Sequence, residues 1–323
     1  VIGVVIVSFN TVALLRDCLA SLRACSMPLR VVVVDNASAD ASAAMVRAEF
    51  PEAELLALEE NAGFARGNNI GLAALGVTGT HGEPLADSSA AVAGGYTLVL
   101  NPDTVVHPGA IEHLAAFLDA HPRVGVVGPR LLNPDGSLQA AAFRFPTLLM
   151  TALDLFPPGE VLPGRLYNSW WHGRYPQEQS GAAPFAIDHP LGACMLMRNA
   201  ALLEVGGLDE RYFMYSEEVD WCWRLRAAGW AIWQEPAAVV THVGGAATSQ
   251  FRAKMLVALY RSRAQFAASH YSAARRYGHR LIVRAGMLRA MLRDWRSYAR
   301  GAIDREQLRG RLLAYADVLH VTR

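Results

Sequence analysis

Cysteine is scarce in this chain of 323 residues, with four in all: Cys18, Cys25, Cys194 and Cys222. No two make a Cys-x-x-Cys pair, and no histidine cluster has zinc-finger spacing. That excludes a disulfide scaffold or zinc ribbon and reads as reduced thiols in the core of a cytosolic protein. Long apolar runs are missing too. Residues 1–9 are apolar but too short for a signal peptide and lack a basic start. No uninterrupted run approaches the ~20 residues of a membrane-spanning helix, so the expectation is a protein that does not cross a membrane. There is no Walker loop, no Gly-x-Gly-x-x-Gly fingerprint, no internal repeat and no low-complexity tract.

Apolar residues, by contrast, are plentiful at 52%, enough to fill a sizeable core. The net charge of +1 conceals an uneven split. Residues 251–323 hold 16 Lys and Arg against 4 Asp and Glu, whereas the first 250 residues hold 14 against 25. An acidic body with a basic tail implies two jobs on one chain. The expected division is a nucleotide-binding α/β domain over 1–248 and a basic amphipathic helical region over 249–323.

Within the body, strand-like and helix-like patterns alternate. Buried β-branched or apolar runs fall at 1–8, 29–34, 55–58, 96–100 and 124–127, with helical periodicity at 10–25, 38–50, 67–75 and 108–121. Later come a strand at 193–197, helices at 200–205 and 217–228, and short strands at 231–233 and 238–241. This order predicts a mostly parallel sheet with helices on both faces. Two stretches, 76–95 and 145–186, read as long loops, the second of a length usual for an active-site lid. In the tail, Leu256, Leu259 and Tyr260 mark one helix, and 282–298 and 307–320 two more.

Polar clusters sit where the predicted strands end: Ser8-Phe9-Asn10, Asp35-Asn36-Ala37-Ser38, Asn101-Pro102-Asp103 and His242. Ligands of open parallel sheets bind at that edge. Helix capping by Asn10 or Ser38 and turn formation by Asp35-Asn36 are the plain alternatives for single clusters. Residues 61–69 place two glycines and Arg66 just before a helix, a setting suited to a diphosphate. A third concentration is Glu217-Glu218 and Asp220 among Tyr212, Phe213, Tyr215, Trp221 and Trp223. Helix-dipole pairing accounts for one of these acids. Acids beside aromatic rings suit a sugar, and one acid suits a general base.

These segments together resemble glycosyltransferase family 2, an inverting family with the GT-A fold. The resemblance runs through VVIVSFN, VVVVDNASAD, ENAGFARGNNIGL, LVLNPDTVVHPGAI, VGVVGPRLLNPDGSLQ, LGACMLMRNAALLEVGGLDERYFMYSEEVDWCWRLRAAGW and VVTHVGG, and covers 1 to about 245. The wording is most like the rhamnosyltransferase branch, which extends cell-surface polysaccharide from dTDP-rhamnose. The resemblance implies that Asp35 binds a pyrimidine base, with Ser8, Phe9, Asn10 and Asn36 lining the pocket. It implies that Arg66 and Asn69 border base and diphosphate, and that Asn101 and Asp103 form the metal motif. His242 would join Asp103 in holding Mg²⁺ or Mn²⁺ against the diphosphate. Gly192, Ala193, Asp220 and Trp221 would face the acceptor or sugar, and Glu217-Glu218 would supply the base. The chain departs from the family at Asn101, an amide in place of the first acid of the motif, and at Glu218, where the family has Asp.

On this reading a dTDP- or UDP-sugar donor reacts in one displacement with a hydroxyl of a glycan or polyprenyl-linked acceptor. Glu218 takes the proton as a carboxylate of ordinary acidity, near ~4.3; Glu217 is the other candidate. The tail reads as an element for an anionic membrane surface, on the inner face of the cytoplasmic membrane, or else as packing on the body or a second subunit in a homodimer. An acidic body and a tail without a recognition module exclude nucleic acid. The competing readings are a non-catalytic nucleotide-sugar-binding scaffold, which only Asn101 favours, and a nucleotidyltransferase, which lacks its glycine-rich phosphate loop here.

Overall fold

A computed structural model describes residues 1–85, 92, 94–157, 169–181, 183–244 and 252–322, the side chain of residue 252 excepted. The β-branched runs of the sequence form the framework. Strands β1 (Ile2–Ser8) and β2 (Leu29–Asp35) pair in parallel. β3 (Glu54–Ala57) adds to β2 and β4 (Tyr96–Leu100) to β1, both also in parallel. Beyond β4 lie β11 (Cys194–Arg198), β6 (Val124–Leu132), β12 (Ala231–His242) and the short β5 (Thr104–Val106), giving the order β3-β2-β1-β4-β11-β6-β12-β5. Two short strands add at the side, β7 (Leu138–Gln139) to β6 and β9 (Phe185–Ala186) to β12. A separate pair joins β8 (Ala142–Phe143) to β10 (His189–Pro190).

Strand direction determines what reaches the ligand edge. β11 runs antiparallel to both β4 and β6, and β12 runs parallel to β6. The strands β1, β2, β3, β4, β6 and β12 therefore all end at one edge. Ser8, Asp35, Asn101 and His242 are thus brought to that edge together. β11 and β5 run the other way, so their first residues lie there as well, and Gly192-Ala193 and Asp103 come with them.

Apolar faces hold this arrangement. Leu15, Cys18 and Leu19 of the Val12–Leu22 helix and Ile111, Leu114 and Leu118 of the Ala110–Ala120 helix share one buried cluster with Ile6, Leu98, Leu100, Leu196 and Val240. Each large side chain withdrawn from water there contributes about 1.5–3 kcal/mol. On the helix Phe64–Ala74, Gly71 lies so close to β1 that an added Cβ would stand 2.3 Å from Val5 Cγ1. The missing side chain lets helix and strand touch.

The structure departs from the sequence reading in three places. The two short strands expected at 231–233 and 238–241 are one strand, β12, with register shifts at Ala231/Ile232 and Glu235/Val239. Pro236 has no N–H for the ladder, and the bulge absorbs it. β6 continues to Leu132 through Pro129, beyond the residues paired with β11, so that the proline leaves no ladder bond broken on that side. The loop expected at 145–186 contains a helix, Leu148–Leu155, capped by the Thr147 hydroxyl, and a short one, Pro176–Ser180. Parts of this stretch and of 76–95 lie outside the described residues.

The chain divides into two units. The first is Val1–Phe145, Tyr175–Phe213 and Glu217–Ala247; the second is Pro146–Arg174, Met214–Ser216 and Thr248–Arg323. The second unit thus takes in a stretch that the sequence reading placed in the first domain. Its long helices are Arg252–His270, Ala273–Ala299 and Arg305–Val321, the last two started by Ser272 and by an Asp304–Gln307 capping box. Leu155, Tyr260, Val283, Met287, Tyr315 and Val318 form its core. Among the described residues no helix is long and apolar enough to cross a membrane.

Candidate active site

Where β1 and β2 end, polar side chains are bound into a cradle. Ser8 is paired in register with Asp35 and is buried with its hydroxyl on Thr11 Oγ1, 2.9 Å away. Asn10 and Ala37 both take left-handed backbone, φ 53° and 62°. For alanine that conformation is strained, at about 1–3 kcal/mol. Asn10 N–H donates to Ser38 Oγ, and Asn10 Oδ1 accepts from Ala39 N–H. Asp35 Oδ2 accepts from Ser38 N–H at 3.1 Å, while Oδ1 is buried with no hydrogen-bond partner among the described residues. A buried carboxylate oxygen in that state calls for an N–H or O–H donor from a ligand. Phe9 is half-buried beside it.

Asn36, expected to line the same pocket, is engaged internally. Its Oδ1 accepts from Ala62 N–H, and its Nδ2 donates to Asn61 Oδ1 and the Gly63 carbonyl. It holds the 61–63 turn against β2. Asn69 is likewise occupied: both its amide donors point to Leu208 O and Glu210 Oε1, and its Oδ1 accepts from Leu208 N–H. Its expected place beside base and diphosphate becomes a clamp on the 208–210 segment. Arg66 is exposed in the first turn of its helix. The turn before it depends on Gly63, whose φ of +83° is left-handed and whose added Cβ would meet Phe213 O at 2.5 Å.

At the other end of the edge, β5 begins beside the end of β12, Thr104 opposite His242. That register places Asp103 Oδ1 3.3 Å from His242 Nε2, with both residues more than nine-tenths buried. Asn101 N–H is tied to the Ala193 carbonyl, 2.8 Å away, and its Oδ1 is a second buried acceptor with no partner among the described residues. No three His, Cys, Asp or Glu side chains converge on one point among the described residues. Two protein ligands suffice for Mg²⁺ or Mn²⁺ when substrate phosphates and waters complete the shell. A buried carboxylate oxygen and an imidazole nitrogen 3.3 Å apart are donor types that fit such a cation.

The acid pair opens the helix Glu217–Ala227. Tyr215 and Ser216 before it are both left-handed, φ 71° and 66°, an uncommon pair for residues with side chains. Glu217 is buried and Glu218 half-buried, and each has an Oε2 without a partner among the described residues. Burial pushes the Glu218 carboxyl up to about 7, against backbone N–H groups that pull it down. Burial, and then the neighbouring charge of Glu218, drive Glu217 well above the ordinary range. The ordinary acidity expected of Glu218 from sequence is therefore corrected: the low-dielectric setting of the helix start raises it. Gly192 lies against this acid, the position of its missing Cβ 3.6 Å from Glu218 Cδ.

Asp220 and Trp221, expected at the acceptor or sugar, face inward instead. The Trp221 ring is fully buried and its indole N–H donates to Gly206 O at 2.8 Å; Asp220 is in an ion pair with Arg224 at 2.8 Å. They stand three and four residues after Glu217, on the same side of the helix one turn further along, where that side packs into the core. Of the surrounding rings, Tyr212 is buried, Trp223 packs on Phe145 and Phe213 is exposed. The four cysteines are free, and burial raises the Cys18 thiol to about 12. Sequence reasoning passed over Gln139, whose Oε1 accepts from His242 Nδ1 at 2.7 Å. The only signal for it was its place in the NPDGSLQ segment.

Comparison with known proteins points the same way. The sequence model described as glycosyltransferase like family 2 matches residues 2–262. The N-acetylglucosaminyl-diphospho-decaprenol L-rhamnosyltransferase of Mycobacterium tuberculosis (strain CDC 1551 / Oshkosh) is 33% identical over 274 residues, 84% of this chain and 85% of that protein. The pre-mycofactocin glycosyltransferase of the same strain is 30% identical over 250 residues, 75% of this chain and 42% of that protein. Among solved structures, a mannosyltransferase from Pyrobaculum calidifontis in complex with GDP-Man and Mn²⁺ has a TM-score of 0.52 at 15% identity, over 99% of this chain and 85% of that one. The last is a likeness of fold.

Proposed function

The chain belongs to glycosyltransferase family 2 and is a glycosyltransferase, and from that premise we propose that it moves rhamnose from dTDP-rhamnose, with inversion, to a hydroxyl of a polyprenyl-linked glycan acceptor in cell-surface polysaccharide synthesis. The observation that carries this reading is the gathering of three groups on one sheet edge: Asp35 Oδ1 and Glu218 Oε2, each without a partner among the described residues, and the Asp103–His242 pair, 3.3 Å apart. Each matches one part of the reaction. Asp35 Oδ1 accepts the ring N–H of a pyrimidine base, a contact that cytosine lacks. Arg66 and the amides of its helix start suit a diphosphate. Asp103 and His242 would hold Mg²⁺ or Mn²⁺, which supplies charge for the leaving diphosphate.

Glu218 is the proposed base. A carboxyl whose acidity is brought near neutrality is half ionised at working pH and accepts a proton more readily than an ordinary one. It takes the proton of the acceptor hydroxyl as that oxygen attacks the anomeric carbon and the diphosphate leaves, so one bond forms as one breaks. Glu217 lies buried beside it, its carboxyl driven upward by burial and then by the charge of Glu218. Rhamnose and a lipid-linked acceptor are drawn from the relative named above. Thermal unfolding with dTDP-rhamnose and Mn²⁺ tests the donor. Binding to the native state alone raises the melting temperature, and Asp35→Asn should lose that rise. Stabilisation by a purine-nucleotide sugar in preference, or an Asp35→Asn protein that responds as the native one does, would remove the pyrimidine reading.

The helical unit supports a further part of this proposal, contact with an anionic lipid surface. Along the helix Ala273–Ala299, Tyr277, Leu288, Leu292 and Trp295 are each more than half exposed, and Leu281 nearly so. Their spacing puts them on one outward stripe. The helix carries seven arginines and one acid, Asp294, which is buried. Aromatic and leucine side chains flanked by arginine suit the headgroup region of an anionic bilayer. Flotation with phosphatidylglycerol vesicles should carry the full chain, less so as salt rises, and a Leu288→Ala/Trp295→Ala double variant should lose about tenfold. Binding that ignores both changes, or a dimer that the double variant dissolves, would assign the stripe to another occupant.

A further inference from the structure

The hairpin that joins β6 to β7 offers an inference that rests on the proposed metal role of Asp103 and His242 and goes beyond it. Its residues 133–139 close through Asn133 N–H to Ser137 O at 2.8 Å and Gly136 N–H to Asn133 O at 2.9 Å. Within it the side chains form an ordered chain of hydrogen bonds that ends on the histidine. Each direction in that chain follows from chemistry at its far end.

Asp135 is a carboxylate, held below its usual range by hydrogen bonds from Ser137, so it only accepts. The Ser137 hydroxyl therefore donates to it, at 2.6 Å, and its oxygen is left to accept. It accepts from Asn133 Nδ2 at 2.9 Å, which turns Asn133 Oδ1 toward Gln139. Gln139 Nε2 donates to that oxygen at 2.9 Å and also to the His242 carbonyl, an obligate acceptor, at 3.2 Å. The two anchors agree on the orientation of the Gln139 amide. Its Oε1 then faces His242 Nδ1 at 2.7 Å, and Nδ1 must carry a hydrogen. In the neutral ring the other nitrogen, Nε2, is then the lone pair, 3.3 Å from Asp103 Oδ1. A neutral ring held this way faces the carboxylate acceptor to acceptor, and either a proton on Nε2 or a metal ion relieves that contact.

We infer that this hairpin is a tautomer lock: Gln139, oriented by Asn133, Ser137 and Asp135, holds His242 as the Nδ1–H imidazole and so turns Nε2 toward Asp103 as a ready divalent-cation ligand. Gln139 is a positioning residue, since of the two proposed cation ligands it bonds only to the histidine. Outer partners of this kind set ring orientation and ligand basicity in metal sites, and their loss costs about 10- to 100-fold in metal affinity.

The first measurement needs no variant and no metal. Long-range ¹H–¹⁵N spectra of histidine-labelled full chain, followed as pH is raised until the ring is neutral, should show His242 protonated at Nδ1 and bare at Nε2. The Nε2–H form would overturn the inference whatever the protein binds. The second measurement is Mn²⁺ affinity, with and without dTDP, read from the free-ion EPR signal. Gln139→Leu, similar in volume and without an acceptor, should weaken it about 10- to 100-fold. It should add nothing in a His242→Ala background, because it acts through the histidine. Native affinity in Gln139→Leu, or losses that add in the double variant, would overturn it. Should the native chain bind no Mn²⁺, the metal reading fails by itself and the spectra still decide the tautomer. The same spectra decide it should Gln139→Leu not fold.

Discussion

Asp294 in the helical unit and the Glu217–Glu218 pair in the sheet unit are acids withdrawn from water in opposite company. Asp294 accepts from Tyr315 Oη at 2.9 Å and has Arg293 and Arg311 at 3.1 and 3.5 Å. Those bonds outweigh burial and hold its carboxyl below the usual range. The two glutamates have no such partners, and burial raises both. One unit satisfies its buried acid, and the acid then holds helices together. The other leaves one oxygen of each glutamate without a partner among the described residues, at a cost in stability, and such an oxygen is what a proton acceptor needs.

The comparison has a kinetic arm with the largest expected effect. Glu218→Gln should lower the turnover number about 10³-fold, the usual worth of a general base, while dTDP-rhamnose still protects the protein against heat. Turnover near the native value would take Glu218 out of the base role and leave Glu217 to be tried. Next comes a sign test. A folded-state pKa raised from 4.5 to about 7 favours folding fully below the unfolded value, and this is lost as pH rises through the folded value. The native chain should thus carry a penalty on the order of 3 kcal/mol near pH 8 that Glu218→Gln lacks. Urea unfolding should find the variant more stable there, with the gain fading toward pH 5. A variant less stable at every pH would mean that the glutamate is satisfied after all. The smallest effect is the converse one. Asp294→Ala strips Tyr315 and two arginines of their acceptor and should lose about 2 kcal/mol, read in the same titrations, with no change in donor protection.

The sheet and its ligand edge were legible in the sequence because β-branched runs and polar strand ends are local signals. Asp35, Asp103 and His242 stand at that edge as expected from the strand ends, whereas Glu218 comes to it only through the packing of its helix against Gly192. What was not legible is which polar side chains are already engaged. Asn36 and Asn69 read like Asp35, as polar residues beside the pocket, yet their amides are saturated by turns that lie 25 or more residues away. Asp220 and Trp221 share a helix with Glu218, and only packing decides that their side is the core side. Gln139 was hidden for the converse reason: an amide in a polar hairpin looks like any solvated turn residue until the fold brings it to His242. The helix Leu148–Leu155 was missed among prolines and glycines because its apolar stripe is short, and its partner Gly286 lies far along the chain.

The contact between Gly63 and Phe213 bears on how such an enzyme is re-engineered. Phe64 N–H donates to the Phe213 carbonyl at 2.7 Å, and Gly63 leaves room for no more than a hydrogen against it. The 61–63 turn and the segment leading to the acid pair are thereby one mechanical part, although they are far apart in sequence. A chimera that imports residues 61–67 from a relative with another donor inherits a loop shaped against a foreign 213. Exchange of donor preference by grafting should succeed when both segments travel together, and breeding schemes that cross over between them should return mostly misfolded chains.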